Sequence, residues 1–296
     1  MKNGPQQRRF LIPLIALLLT WGCGEDDHSG LTPSTTTYFS GPIPRNIGHR
    51  GGAGIFPENT LYAFAGALAL GVQILEIDVH ATSDGHVVIL HDATVDRTTD
   101  GTGRVRDMPL DELRDLDAAY RFSLDGGETY PLRGRDITIP TLAEAFERFP
   151  EARFNIEIKQ LIPPIEAEVV SLVEAHGMQE KVCLVSLSDS VVENVRRLNA
   201  EICTSPGILG IIAFMMTPLE CLLDQDMKAE VLQVPEEELG IPIVTPAFID
   251  KAHQLGLEVH VWTINSPGKM ASLLGMGVDG IMTDYPDRLK DVIEEL

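Results

Sequence analysis

The run Ile74-Leu75-Glu76-Ile77-Asp78-Val79 sets two carboxylates into an otherwise apolar stretch of strand-forming residues. Side chains alternate along an extended chain, so Leu75, Ile77 and Val79 leave one face while Glu76 and Asp78 leave the other. A barrel accommodates both sets, with the apolar face against surrounding helices and the charged face turned inward. Asn155-Ile156-Glu157-Ile158-Lys159 repeats the arrangement, with Phe154, Ile156 and Ile158 outward and Glu157 and Lys159 inward.

Outward from these two segments, short β-branched runs alternate with longer amphipathic stretches from Ile47 onward, the pattern of βαβ units and a parallel sheet. Strands are expected at 46–49, 73–79, 87–91, 153–158, 182–186, 201–204, either 230–234 or 241–244, 258–263 and 280–283. About eight such strands fit a closed (β/α)8 TIM barrel of about 250 residues, an α/β fold, better than an open doubly wound sheet. No glycine-rich dinucleotide fingerprint competes with that reading. Helices are expected at 59–70, stopped by Gly71, and at 246–255, stopped by Gly256. The rhythm breaks between His91 and Thr141, where turn residues surround a short helical stretch at 110–116. Residues 94–138 are therefore read as an insertion between the third strand and the following helix, above the face where barrel sites lie.

The N-terminus reads differently. Lys2, Arg8 and Arg9 precede an apolar run at 10–19 that is too short to span a bilayer and ends at Thr20-Trp21-Gly22-Cys23. This is the plan of a lipoprotein signal peptide, 1–22, with Cys23 acylated; Thr20 and Trp21 depart from the usual pattern, and cleaved secretion is the alternative. Both readings export the protein to the cell envelope. Residues 23–44, rich in small and polar side chains, are expected to form a flexible tether, and 45–296 the barrel. Cys183, Cys203 and Cys221 are odd in number and read as buried small hydrophobes. The formal net charge of -21 excludes nucleic acid and disfavours an anionic membrane surface, leaving a small-molecule partner and a membrane reached only through the anchor. No protein partner is indicated.

Glu76, Asp78 and Glu157 converge near strand ends, and a hard divalent cation neutralises them most simply, although pairing with Arg or Lys at the rim is the structural alternative. Oxygen ligands favour Mg2+ or Ca2+ over zinc. His49 and His91 end two strands on the same face, suiting a reaction that needs one base and one acid. His28, His86, His176 and His253 read as surface residues, and His80 and His260 stay open.

His49-Arg50-Gly51, Pro57-Glu58-Asn59-Thr60, Glu76-Ile77-Asp78-Val79, His91-Asp92, Ile139-Pro140-Thr141-Leu142, Glu157-Ile158-Lys159, Val261-Trp262-Thr263-Ile264-Asn265 and Asp279-Gly280-Ile281-Met282-Thr283-Asp284 together resemble the glycerophosphodiester phosphodiesterase family. The resemblance runs from about Ile47 to Pro286. It implies a divalent metal on Glu76, Asp78 and Glu157, and His49 and His91 as the acid/base pair, with His91 read as the acid. It also implies Arg50 and Lys159 as phosphate-contacting cations and Glu58 and Trp262 as residues that line or brace the pocket. The activity implied is hydrolysis of a glycerophosphodiester to sn-glycerol 3-phosphate and an alcohol. A lysophospholipase D or sphingomyelinase D-like activity would need an apolar groove, for which Phe214, Met215 and Met216 are the only candidates, although they read more readily as helix core. A non-catalytic binding lipoprotein is disfavoured because every ligand and histidine is kept.

Overall fold

The computed structural model describes residues 36–223 and 229–296; the expected signal peptide and Cys23 lie outside them. Eleven strands occur among the described residues: β1 (Arg45–Gly48), β2 (Ile74–Ala81), β3 (Val87–Ile89), β4 (Phe154–Ile158), β5 (Val182–Val185), β6 (Cys203–Thr204), β7 (Val231–Pro235), β8 (Glu237–Glu238), β9 (Ile241–Pro242), β10 (Glu258–Trp262) and β11 (Gly280–Thr283). The helices are α1 (Leu61–Ala69), α2 (Leu110–Arg114), α3 (Leu142–Arg148), α4 (Glu166–Ala175), α5 (Asp189–Leu198), α6 (Ile208–Met216), α7 (Leu219–Leu223), α8 (Pro246–Gln254), α9 (Pro267–Met276) and α10 (Pro286–Glu294). Eight strands run parallel in the order β6-β5-β4-β2-β1-β11-β10-β7, a nearly closed TIM barrel of the class that the sequence indicates. Of the two candidates for the seventh stave, 231–235 takes the place, and β9 pairs only with β8 in a small hairpin.

The alternation along β2 and β4 does what period two requires. Leu75, Ile77, Val79, Phe154, Ile156 and Ile158 join Phe64 and Phe146 in the core between sheet and helices. The inward face changes character along the barrel axis. Its lower part is apolar, with Ile47, Ile74, Cys183, Cys203, Val231 and Met282, and its upper part carries the carboxylates. Helix boundaries follow local chemistry: Thr60 caps α1 by accepting from the Ala63 amide, and Thr141 and Glu144 form a reciprocal capping box on α3.

One expected stave is not a stave. β3 folds back antiparallel on β2, pairing Val79 with Ile89, so β4 takes the place beside β2. A hairpin after β2 needs only a short turn, Ser83 to His86, whereas a parallel neighbour needs a crossover of a dozen residues or more. The excursion thus takes in β3 as well as 94–138 and rejoins the barrel at α3. It has its own small core of Val88, Leu90, Val95, Leu113 and Ile139.

A second difference concerns the expected tether, whose last part, 36–44, packs against the barrel. Tyr38 is fully buried in the lower interior and its hydroxyl donates to Asn155 Oδ1 at 3.3 Å. Arg45 clamps the same end: it donates to both Glu258 oxygens at 2.7 and 2.6 Å and to the carbonyls of Phe39 and Ser40. The polar composition of the segment concealed one aromatic anchor large enough to fill a barrel end.

This clamp has a measurable stability signature. Burial pushes the Glu258 carboxyl up, but Arg45 and His260 outweigh it and hold the group down at about 2. A depressed folded-state value stabilises above the ordinary value of 4.5 and is lost as pH falls towards 2, at most about 3 kcal/mol. Arg45→Met is expected to cost about 3–5 kcal/mol in urea denaturation at pH 7, because it leaves Glu258 unpaired. The deficit should shrink at pH 3; an equal deficit at both values would remove Glu258 from the explanation.

Candidate active site

The site grows from the pairing of β2 with β4. Their register places Asp78 opposite Glu157, and Glu76 stands two residues earlier on the same inward face. Glu76, Asp78 and Glu157 each offer an oxygen within 4.8 Å of the others. Burial and the neighbouring Asp78 push the Glu76 carboxyl up to about 7. Burial acts the same way on Asp78, but Lys159, His91 and Arg50 overcome it and hold that group at about 2.

Lys159 Nζ lies 2.7 Å from Glu157 Oε2 and 3.1 Å from Asp78 Oδ1. Burial works against its charge, yet Asp78 and Glu157 raise it above the ordinary lysine value. Asn59 donates to Asp78 Oδ2 at 2.9 Å, and the Arg50 amide donates to Glu76 Oε2 at 2.8 Å. The second contact depends on a turn with Arg50 at φ 53° and Gly51 at φ +79°, where a Cβ on Gly51 would meet the Phe64 ring at 2.8 Å. Asn59 Oδ1 is buried without a hydrogen-bond partner, and Asp78 Oδ1 and Arg50 Nε are met only by ion pairs, with Lys159 at 3.1 Å and with Asp78 Oδ2 at 3.6 Å. A crowded carboxylate set with an unmet polar atom beside it fits a hard cation, which supplies the charge that one lysine does not.

Two histidines face this cluster, each tied back through Nδ1. His49 Nδ1 lies 2.6 Å from Asp284 Oδ1, and its Nε2 lies 4.0 Å from Glu76 Oε2. Burial lowers the His49 value, but Glu76 and the Asp284 hydrogen bond outweigh it and leave it raised. Asn265 donates to the other Asp284 oxygen at 2.7 Å, fixing that carboxylate. His91 Nδ1 lies 2.6 Å from Asp92 Oδ1. The Leu90 amide bonds to the Asp78 carbonyl, so the antiparallel β3 delivers His91 to the carboxylates as a parallel stave would have done. In both rings the tie is made at Nδ1, so Nε2 is the nitrogen not engaged in it.

Arg97 joins the two sides of the mouth. It donates to Asp92 Oδ2 at 2.6 Å and to both oxygens of Glu58 at 2.6 and 2.7 Å. Glu58 also accepts from Arg50 at 3.1 Å, so it braces cations, while Trp262 packs on the barrel interior. Asp284, Asn265, Asp92 and Arg97 were not singled out as site residues in the sequence. Asp284 had a signal, since it stands immediately beyond an expected strand at the end where barrel chemistry sits. Arg97 had none, because its reach depends on how the excursion folds.

The remaining histidines divide. His86 and His253 are exposed, whereas His176 is largely covered and its ring lies against Phe146, contrary to a surface assignment. His80 is buried with Nε2 3.2 Å from the His91 carbonyl, and burial lowers its value. His260 serves the lower clamp, 2.9 Å from Glu258. His28 lies outside the described residues.

The model of the glycerophosphoryl diester phosphodiesterase family matches residues 49–288. The glycerophosphodiester phosphodiesterase of Caldanaerobacter subterraneus subsp. tengcongensis is 32% identical over 84% of this chain and 97% of its own length. Lysophospholipase D GDPD1 of Rattus norvegicus is 29% identical over 86% of this chain and 87% of its own length. The solved structure of an Oleispira antarctica phosphodiesterase, in complex with the product sn-glycerol-3-phosphate, superposes with a TM-score of 0.69 at 28% identity over 85% of this chain and 97% of that one. The match spans both histidines, all three clustered carboxylates and every barrel stave except β1, and the chain belongs to the glycerophosphoryl diester phosphodiesterase family of hydrolases.

Proposed function

We propose that the chain cleaves glycerophosphodiesters to sn-glycerol 3-phosphate and an alcohol, with one divalent cation, Mg2+ or Ca2+, on Glu76, Asp78 and Glu157. The observation behind this reading is the position of the three-carboxylate cluster between two histidines anchored through Nδ1. The product bound by the Oleispira relative supports the glycerol 3-phosphate half. A diester carries one negative charge and repels nucleophiles, so its cleavage needs charge neutralisation, nucleophile activation and a proton for the leaving alkoxide. When bound, the cation supplies Lewis-acid stabilisation of the phosphoryl oxygens.

Arg50 and Lys159 hold the phosphoryl group beside the cluster, and Trp262 covers one wall. His49 Nε2 removes a proton from the nucleophile, which is either water or the substrate's own glycerol hydroxyl with water then opening the resulting cyclic phosphate, and Asp284 stabilises the charge that develops on the ring. His91 Nε2 donates a proton to the departing alcohol, oriented by Asp92. Incubation with sn-glycero-3-phosphocholine and 31P NMR of the products tests the bond choice: glycerol 3-phosphate with choline is expected. Phosphocholine with glycerol would contradict it.

A second substrate reading has its own observation. Among the described residues, twelve of the sixteen exposed large apolar side chains lie on the segments that follow β4, β5, β6 and β7. Leu161, Ile162, Leu187, Leu209, Met216 and Ile241 mark that arc, and the chain has no charged residue from 202 to 219. Phe214 is core, packed on Phe248, but Met215 and Met216 are exposed. Apolar surface of this extent is a binding face for acyl chains, which suits a lysophospholipase D activity such as the rat relative's name states. Comparing turnover of a lysophosphatidylcholine with that of the deacylated diester decides. Leu209→Glu with Met216→Glu should depress the first and spare the second, and equal effects would sink the acyl-chain role.

Location completes the proposal: the leader exports the protein to the cell envelope and Cys23 anchors it by lipid. Cys23→Ser should block acylation, leaving the protein either unprocessed or released by another peptidase; an already water-soluble wild type without lipid by mass spectrometry would contradict the anchor.

A further inference from the structure

Cys183 and Cys203 sit directly opposite each other on the neighbouring parallel strands β5 and β6. Both are fully buried, both face the lower barrel interior, and their sulfurs touch at 2.7 Å. Neighbouring strands lie about 4.8 Å apart, within the Cα separation that a disulfide spans, and the two sulfurs already point at each other. The pair lies beside the seam of the nearly closed barrel. β6 has only two residues, it ends the run of staves, and it forms no ladder with β7. Across that seam the Gln233 amide donates to the Ser205 hydroxyl at 3.1 Å.

We infer that Cys183 and Cys203 form a structural disulfide that ties the edge stave to its neighbour in the exported protein. The bond is made by thiol–disulfide exchange with a disulfide oxidant. The two thiols give up two protons and two electrons, one S–S bond forms between them, and the oxidant's S–S bond becomes two thiols. Burial pushes both thiols up, so little thiolate exists in the folded barrel. Exchange therefore takes place while the chain folds, and the finished bond is shielded from reductants. This assigns Cys183 and Cys203 a covalent role in place of the packing role that their apolar setting suggests.

The test uses full-length protein folded in the presence of oxidised glutathione, denatured without reductant and treated with iodoacetamide. Cys221 is expected to be alkylated, and Cys183 and Cys203 to appear as one linked peptide pair, separated only by reductant. Quantitative alkylation of Cys183 and Cys203 before reduction would overturn the inference. The Cys183→Ala variant should melt roughly 5–10 °C below the oxidised wild type. Wild type folded and kept in reductant should lose most of that difference. An unchanged gap under reductant would assign the effect to packing and count against the bond.

Discussion

Alanine at Glu76, Asp78 or Glu157 is expected to lower turnover roughly 10³-fold, the scale of a several kcal/mol Lewis-acid contribution. It should also abolish stabilisation of the protein by added Mg2+ or Ca2+. Wild type should melt higher with metal, because a ligand at 100 times its Kd adds about 2.7 kcal/mol to the folded state. The unusual feature is what the cluster costs without a cation. Burial and Asp78 push Glu76 up to about 7, so its charge opposes folding near neutral pH. Glu76→Gln keeps an acceptor for the Arg50 amide and removes that charge. Its metal-free melting temperature should therefore equal or exceed that of wild type, while turnover and metal response are lost. A Glu76→Gln protein that is both less stable without metal and still stabilised by it would contradict the role of this residue.

His49→Ala and His91→Ala are each expected to lower kcat by roughly 10²-fold or more, the usual contribution of a positioned acid or base. The fold should survive, since each ring sits at the mouth and not in the core. The hydrogen-bonding pattern adds a graded expectation. Asp284→Asn and Asp92→Asn keep the shape but weaken the tie to Nδ1, so they should fall between wild type and the histidine variants. Either histidine variant retaining near-wild-type kcat would remove that histidine from the mechanism.

Much of this was legible in the sequence because it depends on local periodicity. Glu76, Asp78 and Glu157 stand out as charges inside apolar strands, and period two alone assigns them to one wall. The helix ends at Thr60 and Thr141 are likewise written in short-range chemistry. What escaped depends on distant partners. The reversal of β3 is decided by a tight turn competing with a crossover, and an apolar run such as Val87 to Leu90 reads the same in either direction. Tyr38 disappears in a polar segment because its partner, the empty end of a barrel, exists only once the barrel is closed. Asp284 and Asn265 form a pair only when β10 and β11 lie side by side, and Arg97 reaches Glu58 only across the mouth.

Hydrolysis of a glycerophosphodiester should require a cation held by the carboxylate cluster of Glu76, Asp78 and Glu157. The most direct measurement of that requirement is an enzyme-coupled assay of glycerol 3-phosphate release by thoroughly demetallated protein, before and after addition of Mg2+ or Ca2+. Release should be absent after chelation and return with either or both cations in wild type, but not in the alanine variants of Glu76, Asp78 or Glu157. Undiminished release from demetallated protein would contradict the account.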